Sequence, residues 1–369
     1  MAAPICDFLT LTPQGLYCEP GRFHIDPWQA VERAVVTHAH SDHARAGCGR
    51  YLVARSCEPL LLARLGRVSV DTLDYGRELT LQGVRVSLHP AGHILGSAQV
   101  RLEYRGRVCV VTGDYKRQAD PTCEPFEPLA CHTLVTESTF GLPIYRWDRS
   151  ERVVAQIEAW WRGNQQAGKA SVLFAYALGK SQRILASLDP AIGPVVVHGA
   201  IWPLLEAYRR AAVVLPPALR VQDVPQDFPW AHALILAPPS ARDSAWLKRF
   251  GPISTAMASG WMLVRGSRRR RAVDRGFVLS DHADWPELLA TIDETACEQV
   301  WITHGYAAVL ARYLGERGRQ AEVLESRFAG EALEESTADA EESSELVESE
   351  QDDAKLPEDV GDVTGESGS

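Results

Sequence analysis

Thr37-His38-Ala39-His40-Ser41-Asp42-His43 puts three imidazoles and one carboxylate into a single short span. Buried without compensation, such a cluster would lose its solvation, and on a free surface nothing would require the alternation His-x-His-x-Asp-His. Neutral imidazole nitrogen and carboxylate oxygen are the usual ligands of zinc and neighbouring divalent ions, so the pattern points to metal chemistry. The apolar run Ala34-Val35-Val36 leads into it, which suits a strand end passing into a turn. His38 and His40 then point one way, while Asp42 and His43 can reach round to a second ion.

Further down the chain, apolar runs repeatedly end in one polar group. Val84–Leu88 leads to His93, set between Gly92 and Gly96 and a poor core residue there. Val108–Val111 leads to Asp114, Leu134-Val135 to Glu137, Phe277–Leu279 to His282, and Val300–Ile302 to His304. Taken singly, Asp114 reads first as a turn cap and His304 as a structural strand-end histidine. Strands that deliver polar groups at one end are what a site along one sheet edge requires.

The His38-x-His40-x-Asp42-His43 string resembles the signature of the metallo-β-lactamase fold. The later motifs are similar to those of its β-CASP nucleases, nearest the compact bacterial ligase-associated DNA exonucleases, relatives of the mRNA 3′-end processing factors. The resemblance covers residues 1 to about 328. It implies one metal on His38, His40, His93 and Asp114 and another on Asp42, His43, Asp114 and His304, with Asp114 shared. Two divalent ions are expected, zinc first and manganese as the alternative; when bound they supply Lewis acidity and acidify a water. His282, oriented by Glu137, is expected to protonate the leaving oxygen or stabilise the phosphate; Asp42 counts with them as catalytic as well as a ligand. The resemblance makes Asp26 an acceptor behind a metal-binding histidine. The alternative for Asp26 is the N-cap of a helix over Trp28–Arg33, and the two roles are compatible.

These residues have to be positioned by an α/β chain. The expected fold class is an αββα metallo-β-lactamase sandwich in two parts, 1–141 and 277–328, with an inserted doubly wound α/β β-CASP lid over 142–276. A disordered acidic tail is expected over 329–369. Phe8–Leu11 and Leu16–Cys18 read as a hairpin, followed by a strand over Phe23–Asp26. In the insertion, helices over Ser150–Gln166, Lys180–Leu188, Pro203–Ala212 and Ser244–Phe250 alternate with strands over Ser171–Ala175, Val195–Val197, Ala233–Ala237 and Ile253–Ala258. Ser280 or Asp281 is placed to cap the helix that runs through Leu288.

Charge is unevenly distributed. The formal net charge is −10, yet residues 331–369 carry 15 acidic side chains against Lys355 alone, leaving the rest mildly basic at +4. A mildly basic body permits a nucleic-acid partner. Gly330–Ser369 contains no Trp, Tyr or Phe and cannot bury enough apolar surface to order itself. Leu178-Gly179-Lys180-Ser181 invites a phosphate-loop reading, but Phe174 stands where a Walker motif needs glycine, so no ATP site is indicated. Lys180 and Arg183 read either as contacts to a substrate phosphate or as a solvated helix start. Arg268, Arg269, Arg270 and Arg271 read as phosphate contacts or as a solvated loop.

The eight cysteines form no Cys-x-x-Cys, and neither a signal peptide nor a membrane span of about 20 apolar residues is evident. A soluble, cytoplasmic protein with no membrane partner is therefore expected. The resulting expectation is a two-metal nuclease, a DNA exonuclease of repair before an RNA-processing nuclease, functionally associated with an ATP-dependent DNA ligase. A small-ester hydrolase and an inactive scaffold rank behind: the long insertion and His282 argue against the first, the full ligand set against the second.

Overall fold

The computed structural model describes residues 3–264 and 273–325. The arginine run Arg268–Arg271 and the acidic tail 329–369 lie outside the described residues. The first sheet holds β1 to β7: Ala3–Cys6, Leu9–Thr12, Gly15–Cys18, Phe23–Ile25, Arg33–Val35, Arg50–Ala54 and Val70–Leu73. They lie side by side in sequence order. Leu9 faces Cys18 in the antiparallel β2–β3 hairpin, and from β4 onward the strands run parallel.

The second sheet contains β8 (Glu78–Leu81), β9 (Val84–Pro90), β10 (Ala98–Tyr104), β11 (Arg107–Val111), β12 (Thr133–Glu137), β19 (Gln299–Thr303) and β20 (Gln320–Val323). Its order is β20-β19-β12-β11-β10-β9-β8. The third sheet, built by the insertion, comprises β13 (Ala170–Phe174), β14 (Val195–Val197), β15 (Leu219–Arg220), β16 (Leu234–Ala237), β17 (Ile253–Ala258) and β18 (Arg275–Phe277). Its order is β15-β14-β16-β13-β17-β18, parallel throughout.

The first two sheets face each other over one core, with Leu9, Ile25, Val35 and Val53 opposed to Val86, Leu88, Val100, Leu102 and Val111. Each such fully buried aliphatic side chain contributes roughly 1.5–3 kcal/mol. α1 (Glu58–Leu65) joins that core through Leu60 and Leu61. The outer face of the second sheet, Val110, Leu134, Val300 and Ile302, is covered by α5 (Trp285–Glu294) and α6 (Ala307–Gly315). The insertion adds α2 (Ser150–Gln166), α3 (Lys180–Ser187) and α4 (Trp202–Arg210). Ile157 and Trp161 of α2 and Ile184 of α3 extend the same apolar cluster, so the lid packs on the sandwich rather than hanging from it. This is the expected α/β fold.

Local expectations differ at several points. Trp28–Arg33 is not helical: the Asp26 N–H donates to Val35 O at 3.0 Å and the Trp28 N–H to Gln14 O at 2.9 Å, which ties the segment down as a crossing between strands. Neither Ser280 nor Asp281 caps α5; Asp284 does, accepting from the Glu287 N–H at 3.0 Å, with Pro286 in the first turn. Residues Ala245–Phe250 wind as a 3₁₀ turn instead of an α-helix. β10 was not anticipated, although Ala98, Val100 and Leu102 alternate with Gln99, Arg101 and Glu103, the period of a half-buried strand. Among the described residues no helix is long and apolar enough to cross a membrane.

Candidate metal centre

The first two sheets present their carboxyl-terminal strand ends along one edge, and the polar residues gather there. Asp26 follows β4, the His38–His43 turn follows β5, and His93 follows β9; Asp114 follows β11, Glu137 ends β12, and His304 follows β19. His282 arrives in the turn after β18. Two glycines make the turns possible: a Cβ on Gly113 would lie 2.6 Å from the Thr37 side chain, and one on Gly305 2.4 Å from Ser138 O. Asp26 and His304 adopt positive φ, 43° and 59°, uncommon for residues with a side chain and a sign that surrounding structure holds them.

The structure brings all seven expected ligands together. Side-chain donor atoms of His38, His40, His93 and Asp114 lie within 4.8 Å of one another, as do those of His38, Asp42 and His43 and those of His43, Asp114 and His304. Asp114 belongs to both the first group and the last. His38 Nε2 and His93 Nε2 stand 3.0 and 3.1 Å from His40 Nδ1. Donors on a zinc ion at 2.0–2.1 Å in tetrahedral geometry are separated by about 3.3 Å, so the three nitrogens already sit near the spacing of one coordination sphere.

Partners on the far side of each ring set the tautomers, because carbonyl and carboxylate oxygens only accept. His43 Nδ1 donates to Asp26 Oδ2 at 2.7 Å, turning Nε2 toward Asp42 and Asp114. Thr37 Oγ1 donates to Asp26 Oδ2 at 2.6 Å and therefore accepts from His38 Nδ1 at 3.1 Å. His93 Nδ1 donates to Asp281 O at 2.7 Å, and His40 Nε2 to Leu178 O at 3.2 Å. Each ring thus keeps an unprotonated nitrogen facing inward, as metal ligation needs. Asp26 accepts from Thr37 and His43 and caps no helix.

The electrostatics favour the neutral ring at His38 and His93 and positive charge at His43. Burial, then repulsion from His43, His93 and His40, holds His38 well below the usual imidazole range. Burial and the neighbouring His282 and His40 do the same to His93. Burial pulls His43 down, but Asp42, Asp114 and Asp26 outweigh it and hold it well above. Burial pushes Asp114 up, but His43, His282 and His304 outweigh it and keep the carboxyl well below its ordinary range. Two buried atoms, His43 Nε2 and Asp114 Oδ1, make no hydrogen bond. Neutral imidazoles at His38 and His93, acids gathered round His43, and a shared carboxylate with the unbonded His43 Nε2 and Asp114 Oδ1 fit divalent cations.

Beside this cluster stands a second pair. His282 Nδ1 donates to Glu137, whose Oε1 also accepts the Tyr115 N–H at 2.8 Å.

Two expected phosphate contacts are not at the surface. Lys180 and Arg183 are buried, with Lys180 Nζ 3.5 Å from Asp281 Oδ2 and Arg183 Nη1 donating to Asp281 Oδ1 at 2.9 Å. The Lys180 helix start therefore points inward, into an ion network. The signal that could have revealed this is Asp281 itself, a second acid beside His282 that needs a cationic partner if buried.

No protein-family model matches the chain. In sequence it is similar to a probable DNA ligase of Opitutus terrae, 33% identical over 313 residues, which are 83% of this chain and 30% of that protein. It is also similar to cleavage and polyadenylation specificity factor 73 of Drosophila melanogaster, 28% identical over 187 residues, 45% of this chain and 27% of that protein. Endoribonuclease YSH1 of Saccharomyces cerevisiae is 32% identical over 124 residues, 32% of this chain and 15% of that protein. The chain spans less than a third of the length of each of these relatives. A solved structure, a protein of unknown function from Enterococcus faecalis V583, superposes with a TM-score of 0.55 at 12% identity, over 80% of this chain and 79% of that one. At that identity it speaks for the fold alone.

Proposed function

Because the chain belongs to the β-CASP branch of the metallo-β-lactamase fold, we propose that it is a metal-dependent nuclease hydrolysing phosphodiester bonds, most specifically a DNA exonuclease of repair. The observation that carries this reading is the buried Glu137–His282 pair standing beside a ligand cluster. His38, His40, His93 and Asp114 would hold one ion, and Asp42, His43, Asp114 and His304 the other, zinc before manganese. When bound, the two ions supply Lewis acidity, neutralising phosphate charge and acidifying a water near neutral pH.

The chain's own residues do the rest. Asp26 and Thr37 hold His38 and His43 with their free nitrogens inward. Glu137 binds the Nδ1–H of His282, which leaves Nε2 as the atom that carries a proton when the ring is charged. As the oxygen of a water that has given one proton to solvent adds to phosphorus, the bond to the leaving sugar oxygen breaks and the His282 Nε2 proton passes to the departing oxygen, so one water is consumed overall. Arg268–Arg271 would contact flanking phosphates.

DNA is favoured because the longest of the three sequence matches is to a probable DNA ligase. That match also supports a functional association with an ATP-dependent DNA ligase. The second reading, an RNA-processing nuclease, draws on the similarity to endoribonuclease YSH1. Eight unpaired cysteines suit a reducing compartment such as the cytoplasm. Degradation of end-labelled DNA and RNA side by side decides between the substrates: faster shortening of DNA from one end supports the first reading, internal cutting of RNA alone the second.

A further inference from the structure

Two ligands of the first metal position are oriented by parts of the molecule that the lid supplies or grips. His40 donates from Nε2 to the carbonyl of Leu178, just before α3, at 3.2 Å. His93 donates from Nδ1 to the carbonyl of Asp281 at 2.7 Å. The carboxylate of Asp281 is held in turn by α3: Arg183 Nη1 donates to Oδ1 at 2.9 Å, and Lys180 Nζ lies 3.5 Å from Oδ2. Arg183 also donates from Nη1 to Ser280 O at 2.6 Å and from Nη2 to Ser150 Oγ at 2.6 Å. Its Nε lies 3.6 Å from Asp120 Oδ2, which pairs at 2.5 Å with Lys116 Nζ. Lys116 Nζ donates back to the His93 carbonyl at 3.4 Å, so His93 is fixed at both its ring and its backbone.

Three cations and two carboxylates are thus buried together between α3 and the sandwich. Burying charge is costly and, as a source of stability, a poor bargain against apolar packing. What this network does achieve is rigidity at one place, the carbonyl that fixes the ring of His93. At the second metal position His43 is oriented differently, by Asp26 from within the sandwich.

We propose that the lid segment Leu178–Arg183 is an integral part of the first metal position, with Arg183 and Asp281 acting as positioning residues that hold His93, and through it the ion, in place. The inference rests on the metal reading above and goes beyond it. The lid then does more than roof the cleft: the first position is complete only when α3 is seated, whereas the second is complete without it. Partners of this kind behind a ligating histidine are typically worth about 10–100-fold in metal affinity.

The test uses the full chain, stripped of metal and titrated with Co²⁺, whose visible d–d bands report ligand geometry. The double variant Arg183→Met/Asp281→Asn removes one cation and one anion, leaving the net charge of the network unchanged. Expected is a folded protein in which one of two cobalt equivalents binds about 10–100-fold more weakly with altered bands, while the other titrates as in wild type. Should that variant fail to fold, Arg183→Lys decides by the same titration, since lysine keeps the charge but cannot span Ser280, Asp281 and Ser150 at once. Two equivalents with wild-type affinity and bands overturn the proposal, and so does equal weakening of both, which would make the network a general brace. Wild-type protein that takes up no cobalt overturns the metal reading and this inference with it. Wild type that binds two equivalents while the variant matches it overturns this inference alone.

Discussion

Glu137 and His282, 145 residues apart in the chain, meet with both carboxylate oxygens, Oε1 and Oε2, at 3.0 and 2.9 Å from Nδ1 of the imidazole. Glu137 also accepts the Tyr115 N–H, one residue past Asp114, so the pair is registered to the ligand cluster through a single backbone step. A carboxylate in that position fixes the tautomer and stabilises the charged ring. His282 is thereby suited to moving a proton at Nε2.

His282→Ala should retain its metal by elemental analysis and lose on the order of 10²–10⁴-fold in the rate of phosphodiester cleavage. Glu137→Gln should fall in the same direction, since a neutral amide stabilises the charged imidazole less. Loss of metal from His282→Ala would make that histidine a ligand instead of a proton carrier.

Asp26→Asn separates outer from inner contacts. Asparagine tolerates the positive φ of 43° at this position, so the melting temperature should change little. An amide keeps one oxygen to accept from Thr37 Oγ1 and His43 Nδ1, but it carries no charge and sets an NH2 against the Thr37 N–H, which donates to Asp26 Oδ1 at 2.8 Å. Metal affinity should drop about 10–100-fold. Chelator competition on the folded variant checks this, and an unchanged affinity would leave Asp26 with a purely local backbone role.

The sandwich and the gathering of the candidate ligands are legible because the site sits where short apolar runs stop, and single residues such as His93 and His304 interrupt that pattern conspicuously. What stayed hidden depends on pairs far apart in sequence. Nothing near Lys180 announces that Asp281 neutralises it, 101 positions later. A helix start with lysine and arginine therefore read as solvated or phosphate-binding when both side chains are buried. The Trp28–Arg33 segment differs for a related reason: Pro27 after an acid resembles a helix start, but the hydrogen bond from the Asp26 N–H to Val35 O decides the backbone there. Asp284 is readable as a cap from its spacing to Glu287, in competition with Ser280 and Asp281 just before it.

Glu287 supplies a pH test of the second sheet's outer face. Burial, then the neighbouring Asp284 carboxylate, pushes its carboxyl up to about 7. An unfolded glutamate titrates near roughly 4.3, so below that both states are protonated and the contribution to stability is fully present. As pH rises toward and through 7 the unfolded chain gives up its proton first, and that stability is lost. The melting temperature of Glu287→Gln, minus that of wild type, should therefore increase between about pH 4 and pH 8 and level off outside that window. Parallel curves across the range would show that Glu287 titrates normally in the folded protein.

The central claim is that Asp114, common to both ligand groups, would hold the divalent ions on which cleavage depends, and metal analysis paired with cleavage of end-labelled DNA tests it most directly. Purified wild-type protein should carry close to two equivalents of zinc or manganese and shorten the DNA. Asp114→Asn should lose most of both the metal and the activity, because Asp114 belongs to both ligand groups. Metal-free protein that cleaves at the full rate would contradict the account, as would an Asp114→Asn variant that keeps its ions and its activity.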